Sequence, residues 1–217
     1  IGTDYGLNRF DGYNFSLYQH HCNDSHSIGS NEICDMLSDS KGRLWVGTNK
    51  NLSRYDITTN RFDNVPFPKN IQPRVSDLVE AKNGDIYITT SGYGLFMIPK
   101  GSDRIVEATT INRLLRDHIT GRLCVDRQGN LWLTGRDNAF YRIMMRKGRA
   151  VGVNRWILSQ GDVLQFLIDR QGRVLLVMKN ALLTYDSHRG RFVDAGYRIT
   201  QQMLSAGLSC ARESPSG

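Results

Sequence analysis

Residues 37–56 read LSDSKGRLWVGTNKNLSRYD, and this stretch decides the fold because the chain repeats it. Looser copies of its first half occupy residues 82–89, 125–133 and 168–176. The chain opens inside a further copy, since residues 1–11 overlay residues 46–56, and it ends on the turn of another at residues 213–217. The glycines of the turns lie 42 to 45 residues apart, at Gly42, Gly84, Gly129, Gly172 and Gly217. A period of this length, built from strands, is typical of a β-propeller.

The hydrophobic pattern inside each repeat has a period of two residues, which predicts strands rather than helices. Residues 44–46 and 131–133 are apolar on both faces and therefore suit burial between neighbouring sheets. The aspartates that open three of the turns can cap them with their side chains: Asp39, Asp126 and Asp169. Third strands are predicted at residues 52–55 and 139–143, and outer strands within residues 58–62 and 187–192. Four short antiparallel strands per repeat predict one propeller blade.

About five such blades take up the whole chain, so we expect an all-β protein with a single propeller section over residues 1–217. The predicted blade boundaries lie near residues 32, 74, 118, 162 and 203. Two arrangements fit this pattern. Residues 204–212 can pair with residues 1–3 and close a five-bladed ring, or the chain can be a section of a seven-bladed propeller of roughly 300 residues. We favour the section, because the chain begins inside a strand of the repeat and ends on a turn glycine.

The composition, with 40% hydrophobic and 23% charged residues, is typical of a soluble globular domain. No apolar run approaches the ~18 residues of a membrane-spanning helix. The four cysteines (Cys22, Cys34, Cys124 and Cys210) show neither paired nor metal-binding spacing. Three of them fall on predicted inner strands, which predicts small buried thiols, with one disulfide as the alternative.

The net charge of +7 and the pI near 9.4 can attract polyanions such as nucleic acid, acidic glycans or anionic lipid, but a solvated basic face is the interpretation that we prefer. The arginines are scattered, with a modest cluster at residues 142–149. Because the basic residues are not interleaved with aromatic ones, as they are in a single-strand-binding groove, we expect no nucleic-acid partner.

The sequence contains no phosphate-binding loop, nucleophile elbow or zinc-binding helix motif. Residues 20–26 combine histidines and a cysteine, but no second half of a metal site follows, so a polar connection is the better interpretation. The carboxylates suited to acid–base chemistry recur with the repeat and are therefore interpreted as structural: Asp35, Asp39, Asp77, Asp126 and Asp169. We expect no catalytic residues, no metal and no cofactor.

The pattern Asp-x-x-Gly-x-Leu-Trp-Val-Gly-Thr, followed by Leu-x-Arg-Tyr-Asp, resembles the two-component regulator propeller repeat. Residues 6–15 look like the first blade of the sensor region of Bacteroidetes-type hybrid two-component systems. Residues 18–31 are similar to the polar stretch of that family that ends in Asn-Ser-Leu-x-x-Asn. The resemblance covers the whole chain, is strongest over residues 1–62, and weakens after Arg173.

The resemblance implies a periplasmic, ligand-sensing propeller in a sensor histidine kinase anchored in the inner membrane. Family members carry two seven-bladed propellers and an immunoglobulin-like domain, followed by a membrane helix, kinase core, receiver and DNA-binding domain. They recognise oligosaccharides and signal to transcription. The resemblance therefore implies that this stretch is not itself an enzyme and meets the membrane only through its parent chain. A homodimer is also expected, since sensor kinases work as dimers and an open blade edge invites pairing.

Blade geometry suggests a ligand-binding face, with ordinary exposed loop residues as the alternative interpretation of each residue on it. The turns between second and third strands emerge on the same face as the blade-to-blade connections. The residues predicted there are Tyr5, Lys50, Tyr93, Arg136 and Lys179. Aromatic and long basic side chains suit sugar stacking and contact with the carboxylate or sulfate groups of an acidic oligosaccharide.

Two other functional classes remain open at this point. A propeller enzyme acting on polysaccharide needs non-repeating histidine, tyrosine, arginine or carboxylate residues that converge on the axis, and the sequence shows no such set. A protein-interaction scaffold of the WD-repeat or kelch type carries Gly-His…Trp-Asp or double-glycine signatures, which this repeat lacks.

Overall fold

The structure is a computed structural model that describes residues 1–115, 121–136, 138–158, 163–178 and 181–196. Within these ranges, nineteen strands form five antiparallel sheets, in each of which neighbouring strands follow one another along the chain. The same ranges contain one α-helix, α1 (Thr109–Leu114), and one 3₁₀ turn at Pro68–Asn70.

The first sheet contains β1 (Gly2–Thr3), β2 (Gly6–Phe10) and β3 (Phe15–Tyr18). The second contains β4 (Ile33–Ser38), β5 (Leu44–Thr48), β6 (Leu52–Asp56) and β7 (Arg61–Val65). The third contains β8 (Val75–Glu80), β9 (Ile86–Thr90), β10 (Gly94–Ile98) and β11 (Val106–Glu107). The fourth contains β12 (Leu123–Val125), β13 (Leu131–Thr134), β14 (Ala139–Arg146) and β15 (Arg149–Ile157). The fifth contains β16 (Val163–Ile168), β17 (Val174–Met178), β18 (Leu182–Asp186) and β19 (Arg191–Asp194).

This architecture confirms the predicted all-β fold of propeller blades, with one difference. The first sheet has three described strands rather than four, because β1 corresponds in the repeat to β5, the second strand of its sheet. The later sheets begin at residues 33, 75, 123 and 163. The predicted boundary near residue 203 lies outside the described residues, and the single propeller section stays a prediction.

The outer strands follow a turn, as the sequence predicts. Residues 57–60 form a turn, and β7 begins at Arg61. The carboxylate of Asp56 stabilises this turn, since its Oδ1 accepts a hydrogen bond of 2.8 Å from the Thr58 amide. Asp186 does the same for the His188 amide at 2.9 Å, so β19 likewise begins only after the turn.

The chain divides into two compact units, Ile1–Leu123 and Cys124–Gly217. In the first unit, a core between the second and third sheets contains the fully buried side chains of Trp45, Leu52 and Ile88. A smaller core joins the first sheet to the second, where the edge of the Tyr18 ring packs on Phe62 with ring centres 5.5 Å apart. Blade faces are therefore apolar because the next blade covers them.

In the second unit, an aromatic cluster fills the space between the fourth and fifth sheets. Trp132 stacks on Trp156 with ring centres 5.9 Å apart, and Tyr185 and Phe192 pack edge-on against both indoles. The Arg142 guanidinium lies over the Trp132 ring at 5.2 Å. This arrangement explains why the repeat carries aromatic residues on its second and outer strands.

The turn aspartates cap their turns as predicted, and two of them, Asp39 and Asp126, also bind a buried tryptophan. Asp39 Oδ1 accepts hydrogen bonds from the amides of Lys41 and Arg43, at 3.0 and 2.9 Å, and Oδ2 accepts one of 2.9 Å from the Trp45 indole. Asp126 holds the Trp132 indole in the same way, at 2.9 Å. Although burial raises it, hydrogen bonds from Trp45 and Arg43 bring the pKa of Asp39 below its ordinary value. The third sheet has Ala81 and Tyr87 in place of the aspartate and the tryptophan, whereas the fifth sheet keeps Asp169 and has Leu175 in place of the tryptophan.

The recurring aspartates of the inner strands join neighbouring sheets. Asp35 Oδ2 accepts a hydrogen bond of 2.7 Å from the Leu78 amide, and Asp77 Oδ2 accepts one of 2.8 Å from the Leu123 amide. Burial raises the pKa of Asp77 to about 7, and the hydrogen bond and repulsion from Asp35 add to this effect. These contacts confirm the structural interpretation of both carboxylates.

Two expectations about cysteines need correction. Cys34 and Cys124 are only half-buried, because the inner strand that carries each is an edge strand with a neighbour on one side. Burial nevertheless raises the pKa of the Cys34 thiol. Cys22 and Cys34 are free thiols, Cys22 being exposed, and Cys210 lies outside the described residues. Among the described helices, none has the length and apolar character needed to cross a membrane.

A candidate ligand-binding cavity

Four of the five predicted site residues lie in the turns where the sequence places them. Tyr5, Lys50, Tyr93 and Arg136 precede β2, β6, β10 and β14, and all four are exposed. Lys179 lies outside the described residues. Their role in ligand binding stays a prediction.

The first unit contains a cavity of about 440 Å³ at this end of the second sheet. It is bounded by three segments: the connection that leads into β4, the turn between β5 and β6, and the connection from β7 to β8. Lys50 lines this cavity, whereas Tyr5 and Tyr93 do not. Thus, of the three predicted residues in this unit, the structure brings Lys50 alone to a concave site.

Two asparagines fix the wall between these segments. Asn64 Oδ1 accepts hydrogen bonds from Ser53 Oγ at 2.7 Å and Asn51 Nδ2 at 3.3 Å, and its own Nδ2 donates to the Ser27 carbonyl at 3.0 Å. Asn51 Oδ1 in turn accepts a hydrogen bond from Thr48 Oγ1 at 2.9 Å. Because the oxygen and the nitrogen of both side-chain amides make hydrogen bonds, this wall of the cavity has a fixed shape before any ligand binds.

The connection into β4 packs tightly on this wall. The Gly29 amide donates to Ser53 Oγ at 3.1 Å, and a Cβ at Gly29 would lie only 1.9 Å from the side-chain nitrogen of Asn51. His20, which also lines the cavity, has its Nδ1 2.8 Å from the Ile28 carbonyl oxygen. The residue at position 29 therefore has to be glycine for the connection to approach the turn this closely.

The remaining lining supplies unused polar groups. The side chains of Lys50, Asn70 and Gln72 are exposed and make no hydrogen bond or ion pair with any residue in the described part of the chain. Pro66 and Ile71 contribute apolar surface beside them. Amide groups that can donate and accept, next to an ammonium and a small apolar wall, suit an oxygen-rich ligand.

The charges around the cavity are arranged so that its interior is cationic. Its lining includes the Lys50 ammonium and no carboxylate among the described residues. Two nearby acidic side chains are neutralised outside it, since Glu107 pairs with Lys69 at 3.3 Å and Glu32 pairs with Arg74. The hydrogen bond from Arg74 lowers the pKa of Glu32.

A second cavity of about 350 Å³ lies between the first and second sheets and is mostly apolar. Its lining includes Leu7, Tyr18, Met36 and Leu44. The residues equivalent to these in the next sheet pair are Leu52, Val65, Leu78 and Ile86, which pack around Trp45. By this equivalence the second cavity occupies the position that the apolar core holds between the second and third sheets.

The residues that line the first cavity were mostly missed from the sequence: His20, Asn51, Asn64, Asn70 and Gln72. They lie in connections and strand ends that do not repeat. The available signal was the geometric rule that blade connections emerge beside the turns, applied to residues 65–72 as well as to Lys50.

The histidine-rich segment before β4 forms the predicted polar connection. Asp24 Oδ1 accepts a hydrogen bond of 2.9 Å from the His26 amide, and Ser27 Oγ donates to the Asp24 carbonyl at 2.8 Å. The described residues contain no group of three or more histidine, cysteine or carboxylate side chains close enough to hold a metal ion.

The repeated four-stranded antiparallel sheets and their capped turns define the blades of a β-propeller. The family model described as a two-component regulator propeller matches residues 27–50, which run from the connection before β4 through the turn after β5. This match confirms the resemblance on which the sequence interpretation depends. A comparison with curated proteins gave no match.

Solved structures show the same fold. The extracellular domain assigned to one hybrid two-component system of B. thetaiotaomicron matches with a TM-score of 0.71 and 24% identity, over 89% of this chain and 26% of that one. A second such domain from the same organism matches with a TM-score of 0.69 and 16% identity, over 90% and 29%. Virginiamycin B lyase from Staphylococcus aureus matches with a TM-score of 0.64 and 15% identity, over 88% and 61%. The chain thus spans between a quarter and a third of each of these sensor domains, and the likeness establishes the propeller fold.

Proposed function

We propose that the chain is a ligand-sensing propeller section from the periplasmic part of a membrane-anchored hybrid sensor histidine kinase, and that it binds an oligosaccharide. The single observation that carries this proposal is the cavity beside Lys50, with its free amide and ammonium groups on the turn and connection end of the second sheet. The match of residues 27–50 to the two-component regulator propeller supports the signalling context.

The chemistry of the cavity suits a saccharide. Each amide side chain offers both donors and an acceptor, which matches the hydroxyl groups of a pyranose. Pro66 and Ile71 provide apolar surface for the C–H face of the ring. A volume of about 440 Å³ falls in the usual range for small-ligand sites and accommodates about one or two sugar units. Tyr5 and Tyr93 are proposed as further saccharide contacts on the first unit, and Arg136 and Lys179 are proposed separately as saccharide contacts on the second unit.

In this proposal the propeller section binds the oligosaccharide, and the rest of the parent chain carries out the signalling. The kinase and the membrane anchor belong to the parent, which passes the signal to transcription, and the propeller section has no catalytic role. Homodimerisation of the parent would bring two such propellers to one signalling unit.

A binding screen tests this proposal. The purified chain is titrated by calorimetry and by thermal shift against neutral and acidic oligosaccharides from plant and host glycans, and each mixture is then analysed for cleavage products. We expect at least one saccharide to bind without being cleaved. Folded protein that binds none of them would contradict the proposal, and turnover of any saccharide would favour the propeller enzyme.

A further inference from the structure

We propose that the cavity beside Lys50 recognises a single carboxylate of an acidic sugar unit, with the Lys50 ammonium as its charge partner. This inference rests on the function proposed above and goes beyond it by naming the site and the sugar chemistry. The cavity holds one unpaired cation and no carboxylate among its described lining residues. An anionic group entering it therefore meets attraction without a competing negative charge.

The position of Lys50 favours such a contact. The residue lies at the tip of the turn between β5 and β6. Thr48 holds the base of this turn, because its Oγ1 accepts hydrogen bonds from the amides of Lys50 and Asn51 at 3.2 and 3.1 Å. The turn is therefore fixed while the long side chain stays free to reach into the cavity. A lysine on a rigid turn loses little beyond its own side-chain entropy when it binds an anion.

The other free groups distinguish a carboxylate from a sulfate. Asn70 and Gln72 line the cavity from the connection between β7 and β8 and offer amide hydrogens from side chains that have no partner among the described residues. One ammonium and neutral amides match the single charge and two oxygens of a carboxylate. No described arginine lines the cavity, whereas guanidinium groups are the preferred partners of larger tetrahedral anions.

The side chains of Asn51 and Asn64, which also line the cavity, already have hydrogen-bond partners. Asn51 and Asn64 use their amides to hold the connection and the turn together, so they shape the cavity and offer little free hydrogen-bonding capacity. The specificity for an acidic unit therefore falls on Lys50, while Asn70 and Gln72 contribute to the binding of acidic and neutral saccharides alike.

The test compares acidic saccharides with their carboxyl-reduced counterparts. Oligogalacturonates, glucuronate-bearing xylan fragments and chondroitin disaccharides are each titrated by calorimetry beside the same saccharide with its carboxylate reduced to the primary alcohol. Titrations at pH 8 keep free histidine side chains neutral. For the wild-type chain we expect reduction to weaken the binding of the recognised saccharide about five- to tenfold.

Two variants separate the site from general electrostatics. Lys50→Met should weaken binding of the acidic saccharide by a similar factor and leave the affinity for its reduced counterpart unchanged, so that the preference for the acidic saccharide disappears. Lys41→Met removes the same charge from an exposed turn at the other end of the second sheet and should leave both affinities unchanged. Unchanged melting temperatures would show that both variants are folded.

Every other outcome of these titrations contradicts either this inference or the proposed function. If an acidic saccharide binds but Lys50→Met keeps the full preference for it, the inference is wrong while the proposed function stands. Binding of neutral or sulfated saccharides alone would overturn the inference in the same way. If no saccharide of either charge binds the folded chain, the proposed function itself fails.

Discussion

The carboxylate of Asp39 shows how much of a blade depends on one residue. It caps its own turn, accepts a hydrogen bond of 2.9 Å from the Trp45 indole, and forms a salt bridge of 2.6 Å with Arg43. The Arg43 guanidinium in turn lies 5.0 Å from the centre of the Trp45 ring. A turn signal that reads in the sequence as Asp-x-x-Gly is thus also the anchor of the largest buried side chain in the sheet.

Replacing this carboxylate should destabilise the first unit strongly. Asp39→Ala leaves the buried indole N–H of Trp45 without a partner, and we expect a loss of about 3 kcal/mol in the free energy of unfolding. Denaturant unfolding of Asp39→Ala, Trp45→Phe and the double variant checks this. The effect of Asp39→Ala should be smaller in the Trp45→Phe background, and equal losses in both backgrounds would contradict the role of the indole bond.

Asp77 gives the molecule a predictable response to pH. Its pKa in the folded state is raised to about 7, above the ordinary value of 3.8, so the folded chain holds a proton that the unfolded chain has lost. Stability from this group is therefore full below about pH 4 and is lost as the pH rises through about 7, by about 4 kcal/mol in total.

An amide at this position should remove the pH response. Asp77→Asn mimics the protonated carboxyl group, so the free energy of unfolding of the variant should decline less between about pH 5 and pH 8 than that of the wild type. Asp4→Asn, which changes an exposed turn aspartate of the same unit, serves as the control. Parallel pH profiles for Asp77→Asn and the wild type would contradict the assignment.

At the scale of elements, the strands could be predicted and the cavity could not. The strands follow from local information, since β5, β9 and β13 repeat the same apolar pattern after the same turn. The outer strand β7 could be predicted as well, because it follows a turn that the Asp56 side chain stabilises by accepting a hydrogen bond from the Thr58 amide. The cavity depends on pairs such as Asn64 and Ser27, which are 37 residues apart and follow no repeat.

The connection before β4 offers a direct test of how the cavity is built. Gly29→Ala places a Cβ within 1.9 Å of the Asn51 amide, which is already held by Thr48 and Asn64. We expect a loss of about 1–3 kcal/mol in stability and weaker saccharide binding, because the wall has to shift. Thermal unfolding and calorimetry measure the two effects.

Gly152 supplies the matched control for this substitution. A Cβ there meets only the terminal methyl group of Met144, at 2.6 Å, which can swing aside. Gly152→Ala should therefore be tolerated better than Gly29→Ala. An equal loss of stability in the two variants would show that close packing at Gly29 is not what fixes the connection.

At the scale of the whole molecule, stability is shared between neighbouring sheets, and function is assigned to the end where turns and connections meet. The period of the repeat predicted the fold, because blade packing imposes the same apolar pattern on every sheet. The repeat also predicted Lys50 as a ligand-binding residue, since the turn between the second and third strands recurs in each repeat. The partners of Lys50 in the cavity escaped prediction, because Asn70 and Gln72 belong to a connection that is unique to one sheet pair.

Hydrogen–deuterium exchange with and without saturating oligosaccharide tests the central claim most directly, because it reports both binding and its location on the chain. We predict that an acidic saccharide slows exchange in residues 48–51 and 65–72, the turn and the connection that line the cavity. Saccharide binding that instead slows exchange at the opposite turns, residues 39–42 and 81–84, would contradict the account, as would unchanged exchange in every segment with all saccharides tested.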